Sequence, residues 1–171
     1  MDNQGNILAW DTEPARLKQM SLRLSRAGVN NVQPRLLKSK RDPFIERHKG
    51  TADRVLADVP CSGTGTWRRS PDLKWRTTQN DLKEVLSLQQ SIMECAAHCV
   101  KPGGYLVYAT CSILSCENEE QVAWFLKTNR KFIPEPIVDF HGIDGPYLQL
   151  YPHLHQTDGF FGAVLRRRSG A

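Results

Sequence analysis

The stretch from residue 54 to residue 109 limits the fold more than any other part of the chain. Arg54-Val55-Leu56-Ala57-Asp58 is an apolar run of strand length ending in a carboxylate, and Tyr105-Leu106-Val107-Tyr108-Ala109 is a second. Between them Leu82, Val85, Leu86, Ile92, Met93 and Ala96 recur at helical spacing after a Thr78 cap, and Lys101-Pro102-Gly103-Gly104 closes that helix. Two strands joined through a helix of this length fit a parallel pair, which needs a crossover of a dozen or more residues. The alternation continues on both sides. Ile7-Leu8-Ala9-Trp10 runs up to Asp11; Thr12 can cap a helix with Pro14 in its first turn, Leu17, Met20, Leu24 and Ala27 along it, and Gly28 at its end. Residues 32–37 suit a strand that Pro34 confines to an edge, and residues 118–128 a helix with Val122, Phe125 and Leu126 inward. Residues 132–138 and 159–166 are the last strand candidates. The expectation is an α/β fold with a mostly parallel sheet covered on both faces, whose ligands lie at the carboxyl ends of strands.

Two cysteines fall at such ends: Cys61 in Asp58-Val59-Pro60-Cys61-Ser62-Gly63-Thr64-Gly65, and Cys111 in Ala109-Thr110-Cys111-Ser112. If the two strands are neighbours, both thiols face one crevice. Hydroxyl and backbone donors and nearby cations can then lower a thiol pKa below its ordinary ~8.5. Residues 38–52 read as a polar, basic loop. Residues 59–77 read as a loop without an element of its own, and a connection that long in a compact domain tends to be functional. It holds Arg68, Arg69, Lys74 and Arg76 against Asp72, beside Trp67 and Trp75. Cations interleaved with aromatics suit a phosphate backbone and unstacked bases.

The net charge of +5 lies elsewhere, since residues 1–50 hold 10 Lys and Arg against 5 Asp and Glu. Arg166-Arg167-Arg168 reads as a solubilising end. Five cysteines cannot all be paired, which fits a reducing, cytoplasmic setting, and no apolar run of membrane-spanning length or leader is present. Cys95 and Cys99, spaced i, i+4, read as core, with no further ligand to complete a metal site. His153 and His155 suggest a structural or substrate-side role.

Taken together these residues resemble the Sun/Fmu-type RNA (cytosine-5) methyltransferases of the NOL/NOP/Sun superfamily. The matching segments are Ala9-Trp10-Asp11, Asp58-Val59-Pro60-Cys61-Ser62-Gly63, Arg68-Arg69-Ser70-Pro71-Asp72-Leu73-Lys74-Trp75, Lys101-Pro102-Gly103-Gly104, Thr110-Cys111-Ser112, Glu117-Asn118-Glu119 and Thr157-Asp158-Gly159-Phe160-Phe161. The resemblance implies a Rossmann-like class I sheet and transfer of a methyl group from S-adenosylmethionine to carbon 5 of a cytidine in RNA, ribosomal RNA above all. Carbon 5 is a poor nucleophile until a thiolate adds to carbon 6. By resemblance Cys111 is that nucleophile, Cys61 assists release of the product, and Asp58 is the acid that contacts the cytosine. For Asp58 to give a proton near pH 7, burial would have to raise its pKa well above ~3.9. Asp11, Asp58 and Pro60 would hold the cofactor, and Arg68, Arg69, Lys74, Trp75 and Arg76 the RNA; no membrane and no metal are implied. The alternative is a catalytically impaired fragment that only docks RNA or a protein. Thiol redox or hydrolase chemistry is disfavoured, because there is no Cys-x-x-Cys and no His in either cysteine motif.

Asp11 sits where such folds place the acid that holds the ribose, at the end of a second strand. Ten residues ahead of it leave no room for a first strand, its glycine-rich turn and a helix. Residues 1–171 are therefore expected to form a partial catalytic domain lacking the first strand and glycine-rich loop. The resemblance also implies a separate amino-terminal RNA-binding region, expected to lie outside these 171 residues; a missing segment of the same protein is a candidate partner, and S-adenosylmethionine binding by the isolated chain should be poor. Lys38 stands where relatives commonly carry an adenine-contacting Asp.

Overall fold

Strands and helices alternate as the spacing predicts in the computed structural model, which describes residues 2–39 and 42–170. The chain divides into two units, Met1–Arg47 and His48–Ala171.

In the first unit β1 (Ile7–Asp11) pairs in parallel with β2 (Val32–Leu36), and α1 (Pro14–Arg26) joins them. The residue before α1 is Glu13 rather than the expected Thr12, and its side chain makes no cap. Asp11 Oδ1 accepts the Glu13 N–H at 2.8 Å, a side-chain turn that leads the end of the strand into the helix. At the other end Gly28, with φ +65°, donates to the Ser25 carbonyl while Val29 donates to that of Leu24, the paired bonds of a Schellman stop. Pro34 lies in β2, whose hydrogen-bonded neighbour is β1, in keeping with an edge position. The stretch read as a basic loop contains α2 (Pro43–Arg47). Its start signal was hidden among charges: Asp42 Oδ1 accepts the Phe44 N–H at 2.9 Å, with Pro43 next in line. Residues 40 and 41 of that stretch lie outside the described residues.

The second unit contains β3 (Ala52–Asp58), α3 (Leu73–Arg76), α4 (Gln79–Cys99), β4 (Val100–Thr110), α5 (Glu119–Thr128), β5 (Phe132–Glu135), β6 (Ile137–Phe140), β7 (Ile143–Gly145), β8 (Leu148–Leu150), α6 (Pro152–His155) and β9 (Phe160–Arg167). Thr78 caps α4 in a reciprocal capping box with Asp81. The crossover brings β3 and β4 side by side in parallel, with Asp58 opposite Ala109. Residues 101–104 lie inside β4 as an irregularity in its pairing rather than ahead of it. The sheet order is β3-β4-β9-β5, and β8 also pairs with β9. Because β9 is antiparallel to both β4 and β5, the strands β3, β4 and β5 share one direction and β9 opposes them. The expected common direction thus holds for β3, β4 and β5, but β9 makes the sheet mixed, with β3–β4 its parallel pair, since the chain reaches β9 through short strands, turns and the one-turn α6 rather than a crossover helix.

Met93 and Ala97 from α4, Leu106 and Tyr108 from β4, Val122 and Phe125 from α5, and Phe161, Ala163 and Leu165 from β9 form the core. Phe125 meets Phe132 edge-on with ring centres 5.3 Å apart. Each large apolar side chain so buried contributes about 1.5–3 kcal/mol. Cys99 is buried and its Sγ lies 3.6 Å from the Cys95 carbonyl, the packing role expected of that pair. Arg166 and Arg167 are not a free tail: Arg166 Nε pairs with Glu135 at 3.0 Å, and Arg167 donates to the Val100 carbonyl at 2.5 Å.

Candidate active site

The carboxyl ends of β3 and β4 bring the two cysteine motifs together. Cys61 Sγ and Cys111 Sγ are 3.2 Å apart, and both are free thiols, half-buried. The connection after β3 has elements after all, a 3-10 turn at Thr64–Thr66 and the short helix α3. Gly65 in that turn donates to the Cys111 carbonyl at 3.0 Å and accepts from the Gly159 N–H at 2.8 Å. A Cβ on Gly65 would stand 2.8 Å from the Cys111 carbonyl oxygen, so only glycine lets the Cys61 loop, the Cys111 loop and the Thr157-Asp158-Gly159 segment meet.

The thiols are pushed in opposite directions. Cys111 is lowered to about 7, first by the hydrogen bond from Cys61; burial opposes this, its own backbone N–H assists, the Asp58 charge opposes and Arg69 assists. Cys61 is pushed far up, first by giving its proton to that bond and then by burial. Of the two sulfurs, Cys111 is the one favoured as thiolate and Cys61 the one favoured as thiol.

Glu117, fully buried, lies beneath both loops. Its Oε1 accepts the Ser62 N–H at 2.8 Å and Gln89 Nε2 at 3.0 Å; its Oε2 accepts the Ser62 and Ser112 hydroxyls, each at 2.5 Å. Gln89 also donates to the Pro60 carbonyl at 3.0 Å, and the Tyr108 hydroxyl donates to the Glu117 carbonyl at 2.6 Å. None of Glu117, Gln89, Ser62 and Ser112 was singled out by sequence reasoning. Gln89 left a signal, a polar residue in line with Val85 and Met93 on the apolar face of α4. Glu117 stood only inside a segment quoted for its resemblance.

The other expected residues are placed as follows. Asp58 ends β3 and is exposed, contrary to the buried setting a proton donor would need; the last residue of an outer strand of this unit's sheet has little to cover it. Pro60 is exposed, its carbonyl held by Gln89. Asp11, in the first unit, ends β1 with its Oδ2 3.8 Å from Arg16 and its side chain 27% exposed. In the basic loop Arg69 Nε bonds Asp158 at 2.5 Å, Arg68 lies 4.0 Å from the same carboxylate, and Arg76 pairs with Asp72 at 3.2 Å. Lys74 Nζ lies 5.7 Å from the Trp67 ring centre and 5.5 Å from that of Trp75, within cation–π range, and Trp75 is 82% exposed. His155 Nδ1 accepts the Tyr151 N–H at 2.9 Å. Among the described residues no helix is long and apolar enough to cross a membrane, and no group of three or more His, Cys, Asp or Glu could hold a metal ion.

An S-adenosylmethionine-dependent methyltransferase from Aquifex aeolicus shares the fold, with a TM-score of 0.54 at 13% identity, covering 96% of this chain and 70% of that one. A family model described as 16S rRNA methyltransferase RsmB/F matches residues 1–166, and the chain belongs to that family. It is 38% identical over 170 residues to the ribosomal RNA small subunit methyltransferase B of Klebsiella pneumoniae, covering 96% of this chain and 37% of that one. NSun6 from Pyrococcus horikoshii, solved with SFG, superposes with a TM-score of 0.84 at 30% identity, covering 99% of this chain and 43% of that one. A methyltransferase homologue from the same organism gives 0.77 at 35%, covering 98% and 55%. The chain spans 37% to 39% of the length of the curated relatives it matches.

Proposed function

We propose that the protein methylates carbon 5 of a cytidine in RNA, with S-adenosylmethionine as methyl donor and small-subunit ribosomal RNA as the substrate class. The observation that carries this reading is the Cys61–Cys111 contact of 3.2 Å with the Cys111 thiol lowered to about 7. Family membership and the names of the relatives support the substrate class. SFG, an analogue of S-adenosylmethionine, in the Pyrococcus NSun6 structure supports the donor.

Within the first unit, Asp11 at the end of β1 offers a carboxylate of the kind that holds a ribose diol; within the second, Asp58 and Pro60 stand at the carboxyl end of β3. When bound, S-adenosylmethionine supplies an electrophilic methyl on a sulfonium. Cys111 supplies what the base lacks: its thiolate adds to carbon 6 and makes carbon 5 nucleophilic. Asp58 contacts the cytosine. Once carbon 5 is methylated its proton must leave to a base, and the carbon 6–sulfur bond must break with its electron pair returning to Cys111. Cys61 assists that departure, a role its 3.2 Å contact with Cys111 supports. Lys74, Trp75 and the arginines of the loop offer charge and a stacking face to the RNA.

Full-length protein mixed with S-adenosylmethionine and cytidine-containing ribosomal RNA tests the reading. Cys111→Ser should lose methyl transfer and form no adduct, whereas Cys61→Ala should accumulate a denaturant-stable protein–RNA adduct. Salt-sensitive RNA binding with neither adduct nor transfer would replace the reading by one of docking alone.

A further inference from the structure

The sulfur atoms of Cys61 and Cys111 belong to loops leaving different strands, and a thiol–thiol contact is too weak to draw two loops together. Their separation must be fixed by what lies around them. In each loop the residue after the cysteine is a serine, and both serine hydroxyls converge on the same carboxylate oxygen, Glu117 Oε2, at 2.5 Å each. The hydroxyls consequently lie 3.5 Å from one another, one residue away from sulfurs 3.2 Å apart.

Glu117 is itself held at both ends. Oε1 is fixed by the Ser62 N–H and by Gln89 from α4, and its backbone carbonyl by Tyr108 from β4. The four donors fill the acceptor positions of the carboxylate. An apolar side chain would fill the same volume without the cost of desolvating a carboxyl group. What the carboxylate adds is a common anchor for two loops that share no strand.

We propose that Glu117 is a positioning residue that sets the separation of the two thiols by gripping, with one carboxylate, the serine following each of them. It acts on Cys61 and Cys111 only through Ser62 and Ser112. Its meaning for methyl transfer rests on the function proposed above, while its effect on the thiol pair does not.

The charged and titratable groups that bear on Cys111 are Cys61, Asp58 from the end of β3, and Arg69 from the basic loop. Glu117→Gln keeps all three, and loss of a carboxylate charge would by itself lower the Cys111 midpoint, so a rise in it reports geometry. Two readouts apply to the full-length protein: the pH profile of Cys111 alkylation by iodoacetamide, and retention of phenylarsine oxide, whose arsenic bridges two thiols only when they are close. Glu117→Gln should move the alkylation midpoint up toward the ordinary thiol value of ~8.5, slow the reaction at pH 7 about tenfold, and weaken arsenical retention at least about tenfold. In a Cys61→Ala background the same substitution should move the midpoint no further, because the partner it positions is gone.

A folded Glu117→Gln protein with wild-type midpoint and arsenical retention overturns the proposal, as does an equal shift in the Cys61→Ala background. If Glu117→Gln does not fold, Ser62→Ala and Ser112→Ala each release one arm of the grip. Weakened arsenical retention in them supports the proposal, and wild-type retention in both overturns it. Loss of methyl transfer is scored separately: a wild-type protein without transfer refutes the function but leaves the thiol-pair result standing.

Discussion

Cys61 and Cys111 leave corresponding places in the sheet. Their strands pair in parallel with Asp58 opposite Ala109, each cysteine follows within three residues, each precedes a serine, and both serines reach Glu117. Their thiols nonetheless differ: one is lowered to about 7 and the other is pushed well above its ordinary range. The loop chemistry is the same, so the difference comes from surroundings. Cys61 gives the proton in the shared bond and lies deeper, and Arg69 pulls on Cys111. Two residues with one local grammar thereby differ in acidity, a difference that the proposed reaction, with its carbon–sulfur bond first made and then broken, would use.

The largest test of that asymmetry is selective labelling. Cys111 is thiolate above about pH 7 and gains a proton as pH falls through that value. Limiting iodoacetamide at pH 7 should therefore modify Cys111 on the order of 100-fold faster than Cys61, read by mass spectrometry of the two peptides, and the Cys111 rate should fall about tenfold per pH unit well below its midpoint. Equal labelling would abolish the distinction.

Next in size is the effect of removing the proton donor. Cys61→Ala should raise the Cys111 midpoint toward ~8.5 and slow its alkylation at pH 7 about tenfold. A midpoint that stayed near 7 would transfer the credit to Arg69 and the backbone N–H. The reciprocal Cys111→Ala should let Cys61 titrate lower than it does in the pair.

The asymmetry escaped the sequence for a physical reason. The strands at 54–58 and 105–109 were legible because apolar runs of strand length flank a capped helix, and from their adjacency the meeting of the two thiols followed. Which thiol is acidic was not legible from spacing, because it depends on a sulfur–sulfur hydrogen bond and relative burial. Glu117 was hidden for a similar reason: a buried glutamate has the same letter as an exposed one, and only Gln89, out of pattern on α4, hinted at a polar network below the loops. Asp58 is a different case: the donor role that the resemblance implies would need burial, and the residue stands exposed. In the first unit α2 was missed because charge in residues 38–52 outweighed the Asp42-Pro43 start signal.

A third substitution touches both loops alike. Tyr108 is fully buried and its hydroxyl holds the Glu117 carbonyl at 2.6 Å. Tyr108→Phe should cost about 1–2 kcal/mol in urea denaturation, the loss of one buried hydrogen bond with its acceptor left unpaired. The order of labelling should survive, Cys111 still ahead of Cys61. Reversal of that order would mean that the network beneath the loops, not the contact between the thiols, sorts them.

The smallest effect is expected at Asp158, and it should fall on one loop only. Asp158 pairs with Arg69 at 2.5 Å and draws Arg68 to 4.0 Å, with both guanidinium groups largely exposed. Exposed pairs of this kind contribute at most about 1 kcal/mol, so Asp158→Asn should leave the melting temperature nearly unchanged. What it changes is the field. Arg69 assists the Cys111 thiolate while half-neutralised by Asp158; freed of that partner, its pull strengthens and the Cys111 midpoint should drift slightly down, by less than Cys61→Ala moves it up. Cys61, for which Arg69 is not among the causes, should stay where it is. The same released arginine can meet a phosphate, so filter binding of ribosomal RNA across a salt series should gain up to about one unit in slope. A shift shared by both thiols, or an unaltered salt slope, would show that Arg69 serves neither the Cys111 side of the pair nor the RNA.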